Sequence, residues 1–231
     1  MATDESRRSL NHFGLFRFRD EYWRLVAEER GAALRSWLAG LKAASEGLHL
    51  YQVFPSEAAT DILVWAAVPV DRDEDAAAFF EAYTRATNPR RLLFEPVTFL
   101  WGYTAASVYS KARSAQEIDP FAQARKRCLV IYPFTKTAPW YLKSAEARQG
   151  MMNEHIRLGK QFPEIHQLLL YAFGLQDHEF VVVYETDDLP QFSELVRQLR
   201  STEVRLYTAL DAPLHTAVHH PRPDAVELWS A

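Results

Sequence analysis

A chain of 231 residues, 48% hydrophobic and 24% charged, suits one large globular domain or two of about a hundred residues each. Its net charge of −4 argues against nucleic-acid binding, which needs Lys and Arg clustered on one face, and its one cysteine, Cys128, excludes an intramolecular disulfide or a Cys-based metal cluster. No apolar run approaches the roughly 20 residues that span a bilayer, and Met1 to Asn11 is too polar for a signal peptide, so a cytoplasmic protein with no membrane partner is expected.

In chain order, residues 1–11 read as a loose tail and Phe13 to Phe18 as a strand. Glu21 to Ala44 carries Trp23, Val26, Ala33, Leu34, Trp37, Leu38 and Leu41 at helical spacing. Leu48 to Phe54 and Asp61 to Val70 read as a hairpin. The acids of Asp71 to Asp75 open a helix through Phe79, Phe80 and Tyr83, and a strand from Pro96 to Tyr109 closes this half. The polar stretch around Lys111, Arg113, Gln116 and Glu117 breaks the pattern and is read as a crossover linker over 111–127, long enough to be a functional loop.

The same order then returns. Cys128 to Phe134 reads as a strand, Trp140 to Phe162 as a helix, and Gln167 to Phe173 with Glu179 to Glu185 as a hairpin. Pro190 to Arg205 reads as a helix, Pro213 to Val218 as a closing strand, and His215, His219 and His220, with no acid near, as a tail. Trp23 pairs with Trp140, Leu63-Val-Trp65 with Val181-Val-Val183 and Pro96 with Pro213 at nearly constant offset. Each half is therefore β-α-β-β-α-β, the ferredoxin-like order. The expected class is α+β: two duplicated ferredoxin-like halves, 1–110 and 128–231, whose bare sheet faces cover each other in a closed or nearly closed α+β barrel with helices outside.

Met151, His155, Leu158 and Phe162 fall on one stripe of the second half's first helix, so His155 points inward. A buried imidazole is either a hydrogen-bonded core histidine or a ligand to a metal or haem iron. The aromatic content, 13%, suits a flat apolar ligand and equally a dense core.

The stretches Ile131-Tyr-Pro-Phe-Thr-Lys136, Trp140-Tyr141, Met152-Asn-Glu-His155, Gln167 to Leu175 and Phe180 to Thr186 resemble the chlorite dismutase-like haem family, which includes the coproheme decarboxylases. The resemblance implies that the second half binds haem b or iron-coproporphyrin III (coproheme), and that the first half is the diverged repeat without haem. His155 stands where the family has the proximal iron ligand, Trp140 where it has a tryptophan beside that ligand, and Glu203 near a carboxylate that holds the free ring nitrogen. Gln167 occupies the distal position at which chlorite-degrading members carry an arginine. Tyr132 and Lys136 match a tyrosine and a lysine kept by coproheme decarboxylases, the tyrosine relaying oxidation to a propionate. Arg200 and Arg205, and more weakly Tyr109, lie where propionates are anchored.

The activity so implied is peroxide-dependent decarboxylation of coproheme propionates to give haem b. Chlorite degradation or weak peroxidase activity is the alternative on the same fold, and a haem carrier or sensor the alternative of another class. A homo-oligomer, most often a pentamer in such proteins, is expected.

Overall fold

The computed structural model describes residues 8–109 and 114–231. The first half runs β1 (Ser9–Phe18), α1 (Asp20–Trp23), α2 (Ala27–Ala43), β2 (Gly47–Gln52), β3 (Ile62–Pro69), α3 (Asp75–Thr87) and β4 (Phe94–Tyr103). The second runs β5 (Cys128–Lys136), α4 (Ala138–Tyr141), α5 (Ala145–Gly159), β6 (His166–Tyr171), β7 (Phe180–Thr186), α6 (Leu189–Leu199), β8 (Thr208–Leu210), β9 (His215–His220) and α7 (Arg222–Ser230). The sheet order is β7-β6-β4-β1-β3-β2-β9-β5-β8, and β7 also pairs with β5, so every strand but β8 joins one closed ring. The halves meet at two seams, β2 with β9 over Leu50–Gln52 and β4 with β6 at Tyr103↔Tyr171. This is the duplicated ferredoxin-like barrel that the element order implies.

Strand alternation divides the side chains between two apolar layers. Phe13, Leu15, Leu63, Trp65, Leu129, Ile131, Leu168, Leu170, Val181 and Val183 point inward and fill the barrel. Leu10, Phe16, Phe18, Ile62 and Val64 point outward beneath α2, whose Leu34, Trp37, Leu38 and Leu41 recur at helical spacing. A strand covered on both faces is apolar throughout, which is why β1 and β3 read as near-continuous runs. In the second half the outward layer is smaller: Val130, Val182, Tyr184, Phe192 and Leu195 pack together, and Tyr132 and Phe134 are only half-buried beside them.

Several expected boundaries are corrected. Of the expected tail, residues 1–7 lie outside the described residues, whereas Ser9–Asn11 belong to β1; buried Asn11 accepts a hydrogen bond from Trp65 Nε1 at 3.0 Å. Each long first helix is broken into a short and a longer one, α1 with α2 and α4 with α5. Residues 111–113, with Lys111 and Arg113, lie outside the described residues; residues 114–127 of the linker are a packed strap, with Ile118 inside the barrel and Arg125 paired to Glu185. The closing histidines are not a tail: His215, His219 and His220 belong to β9, and buried His215 meets Glu57 at 2.8 Å. The unforeseen α7 packs Trp229 onto the first half, where the Tyr22 hydroxyl donates to its carbonyl at 2.8 Å. Among the described residues no helix is long and apolar enough to cross a membrane.

Candidate functional site

The site lies outside the barrel, on the second half's sheet face, because the barrel interior is filled. Across β5, β7 and β6 that face is a grid fixed by register: Val130–Tyr184–Gln167 in one row, Tyr132–Val182–Leu169 in the next, Phe134–Phe180–Tyr171 in the third. Lys136 extends the β5 column past Phe134. Two strand spacings and one two-residue step put Tyr132 and Gln167 roughly 12 Å apart along the sheet. Phe134 and Phe180 stack at 4.6 Å, and Phe173 meets Phe180 edge-on at 4.8 Å, making one end of the face aromatic.

α4 and α5 close the other side. Ser144 caps α5, its Oγ accepting from Ala147 N–H at 3.2 Å. Of the expected stripe, Met151 is buried, His155 and Leu158 are half-buried, and Phe162 is buried beyond the helix end at Gly159. Trp140 from α4 packs with Met151 and Val204, flanked by Tyr109 and Tyr207. The Trp140 ring lies 5.7 Å from that of Tyr207 and 6.4 Å from that of Tyr109.

His155 lies within electrostatic reach of Lys136. Burial, and then the Lys136 charge, lower the imidazole from 6.5 to about 4, so the ring is neutral near pH 7. Its Nδ1 is buried and has no hydrogen-bond partner among the described residues. Lys136 is lowered to about 8, chiefly by burial and next by Arg205. Its Nζ stands 4.9 Å from the Trp140 ring centre and donates to Thr208 Oγ1 at 3.4 Å. Burial also raises the Tyr132 phenol well above its ordinary value, helped by Tyr184, with which it shares a hydrogen bond. Gln167 is exposed at the open side, and its backbone is tied to the linker.

The group thus brought together is Lys136, Trp140 and Tyr109, with His155 within electrostatic reach of Lys136, while Tyr132 packs in the neighbouring cluster with Val130, Val182 and Tyr184. Arg200 and Arg205 stand close by, but both are ion-paired to Asp211, at 3.3 Å and 2.5 Å. Glu203 departs from expectation. It is exposed on a short 3₁₀ turn, Glu203–Tyr207, rather than on the last helix, and the contact expected between its carboxylate and the His155 ring is not made.

Sequence reasoning missed Asp211, Tyr184, Tyr207 and the pair Tyr141–Glu179, in which the Tyr141 hydroxyl donates to the carboxylate that also accepts Lys136 N–H. Only Tyr184 had a sequence signal, since it alternates with Val182 and Phe180 on one strand face. A shallow depression at Phe80, Glu81, Thr84 and Arg85 lies on α3, away from this chemistry.

The arrangement offers a neutral imidazole near an ammonium, aromatic side chains, a half-buried neutral phenol and two arginines close by. Neutral imidazole is the metal-ligating form, and an unpartnered buried Nδ1 is costly unless the ring has other work. The residues therefore fit an iron porphyrin bound through His155. A family model described as Chlorite dismutase matches residues 20–220. The coproheme decarboxylase of Mycolicibacterium smegmatis is 25% identical over 170 residues, covering 72% of this chain and 70% of that protein. The chlorite dismutase of Candidatus Nitrospira defluvii in complex with imidazole superposes with a TM-score of 0.82 at 18% identity, covering 99% of this chain and 97% of that one. A variant of that enzyme with one tryptophan replaced by phenylalanine, in complex with cyanide, gives the same TM-score, identity and coverage.

Proposed function

Because the chain belongs to the chlorite dismutase family, we propose that it is a porphyrin-handling oxidoreductase that decarboxylates iron-coproporphyrin III to haem b with hydrogen peroxide. The observation that carries this reading is the placement of Tyr132 and Lys136 on one strand face, with Lys136 near the neutral His155. The relative from Mycolicibacterium smegmatis named coproheme decarboxylase points the same way.

His155 would hold the iron, and Trp140, Tyr207 and Phe180 would wall the macrocycle. The bound iron supplies the oxidising chemistry with peroxide. For each propionate converted, one peroxide is reduced to two waters while the side chain loses CO2 and becomes a vinyl group. Tyr132 would keep its proton at Oη, since its raised pKa leaves it a neutral phenol and a hydrogen-atom donor at working pH. Lys136, Arg200 and Arg205 would hold propionate carboxylates by charge-assisted hydrogen bonds. Gln167 would orient peroxide or water with a neutral amide. Lacking a fixed positive charge, it gives no stabilisation to the anion released in chlorite turnover. Homo-oligomeric assembly, as a pentamer, and a cytoplasmic setting belong to the same proposal.

The test is the mass of the porphyrin extracted after coproheme-loaded protein meets peroxide. Stepwise loss of two carboxyl groups is expected; an unchanged mass, with coproheme still bound, would make the protein a carrier or sensor instead.

A further inference from the structure

The linker also contributes to the sheet edge that carries Gln167. β6 pairs with β7 from His166 to Tyr171, but its other edge meets β4 only at Tyr103↔Tyr171. The start of that edge is filled by the linker. Gln167 N–H donates to the Gln116 carbonyl at 2.8 Å, Ile118 N–H donates to the Gln167 carbonyl at 3.0 Å, and Glu117 and Gln167 form a parallel bridge. The Ile118 side chain is sealed in the barrel core, which pins the strap in place.

The Gln116 side chain turns the other way. Its Nε2 donates to the Phe162 carbonyl at 2.8 Å and the Ile165 carbonyl at 2.9 Å, with the Gly159 carbonyl at 3.5 Å. Gly159 ends α5, and Phe162 and Ile165 lie in the connector to β6, where the Gly159 and Phe162 carbonyls also accept turn hydrogen bonds from Phe162 N–H at 3.1 Å and Ile165 N–H at 3.0 Å. A planar amide with two N–H donors suits two such carbonyls, and a carboxylate at the same place would face them with none. One residue thus ties the end of the His155 helix, the connector and the Gln167 backbone together.

We propose that Gln116 is a positioning residue: it fixes Gln167 relative to the helix that carries His155, and so sets the sheet side of the ligand space. This rests on the roles given above to His155 and Gln167. Gln116→Met keeps length and volume and removes both donors, whereas Gln116→Lys returns donors to the carbonyls. In the ligand-free protein, NMR-detected exchange of the Gln167 amide should quicken about thirtyfold in Gln116→Met, as the loss of two net hydrogen bonds implies. It should recover in Gln116→Lys, while the Val64 amide in β3 keeps its rate. Unchanged Gln167 exchange, or equal quickening at Val64, overturns the proposal.

In haem-loaded ferric protein, cyanide association should change in Gln116→Met, and the same substitution should add nothing in a Gln167→Ala background. A wild-type cyanide rate in Gln116→Met, or additive effects of the two substitutions, also overturns it. If haem does not bind, or Gln167→Ala leaves cyanide binding as it was, the proposed function fails instead, and amide exchange still decides the role of Gln116.

Discussion

Arg205 Nη1 stands 2.5 Å from Asp211 Oδ2, and Arg200 Nη2 reaches the same oxygen at 3.3 Å. The two guanidiniums proposed to anchor propionates are therefore already engaged by one carboxylate, which an incoming ligand would have to share or displace. Asp211→Asn keeps the shape and removes the competing charge. Partly exposed ion pairs of this kind are worth about 0.2–1 kcal/mol, so an iron porphyrin with propionates should bind up to about fivefold more tightly. Spectral titration checks this. Weaker binding in Asp211→Asn would mean that the carboxylate orients the arginines rather than competing for them.

The Lys136 charge lowers the tendency of His155 to carry a proton. Burial is the larger cause for His155 and the Lys136 charge the second, so Lys136→Met should raise the imidazole from about 4 while leaving it below 6.5. The sign for stability follows. The unfolded chain takes up a proton near pH 6.5 that the native ring refuses, so stability is present above that pH and is lost as pH falls towards about 4. Lys136→Met should soften this loss, giving a smaller drop in Tm between pH 7 and pH 5. Titration of the His155 ring protons is the direct measurement, and an unmoved midpoint would show that the ammonium is not felt.

The duplication and the element order were legible because both rest on local periodicity and repeated landmarks such as Trp23 and Trp140. What was not legible depends on partners far away in sequence. Ser9, Asn11 and His12 look polar, yet they lie in a buried strand because Asn11 meets Trp65 inside the barrel and His12 packs among Phe79, Tyr83 and Phe99. The spacing predicts a helix from Pro190 through Arg205, but Ser201 and Thr202 turn their hydroxyls back onto the Gln198 and Leu199 carbonyls, each at 2.7 Å, and the chain leaves the helix there. That turn is what separates Glu203 from its expected place. α7 was hidden by Pro221 and Pro223, which look like breakers but suit a helix start. That Tyr132 and Lys136 share a strand face, and that His155 points inward from its helix, was readable from spacing; placing them in one site rests on the family resemblance, and Asp211 and Tyr184 became partners only through the fold.

The linker's other end should matter for stability rather than for the ligand. Arg125 Nη1 meets Glu185 Oε1 at 3.2 Å with both side chains almost wholly buried, the Tyr51 hydroxyl donates to the same oxygen at 3.2 Å, and the guanidinium lies over Trp65. Removing one partner of a buried pair strands the other's charge, so Arg125→Met should cost about 3–5 kcal/mol. Burial already raises the Glu185 carboxyl, and Arg125 opposes that rise. Without the arginine the native carboxyl should rise further, and the variant should lose stability as pH increases through that value. Denaturant unfolding at pH 5 and pH 8 tests this, with Glu185→Gln in the same background expected to recover stability mainly at pH 8. An Arg125→Met protein as stable as wild type at both pH values would show that the strap is not anchored here.

Tyr132 is the residue whose loss should separate binding from turnover. Its ring stacks with that of Tyr184 at 6.3 Å, and burial with Tyr184 beside it keeps the phenol protonated. Tyr132→Phe keeps the ring in its place against Val182 and Tyr184 and removes only the hydroxyl. Coproheme affinity should therefore change by no more than the worth of one hydrogen bond, about 0.5–1.5 kcal/mol. Peroxide-driven conversion should stop before the first vinyl group forms, because a phenylalanine ring has no hydroxyl hydrogen to give. Tyr184→Phe supplies the control: it removes the hydrogen-bond partner but leaves the reactive phenol, so conversion should slow without stopping. Affinity is read by spectral titration and conversion by mass spectrometry of the extracted porphyrin. Haem b appearing at the wild-type rate in Tyr132→Phe would rule out the route through this tyrosine. Equal loss in both variants would instead assign the work to the Tyr132–Tyr184 pair.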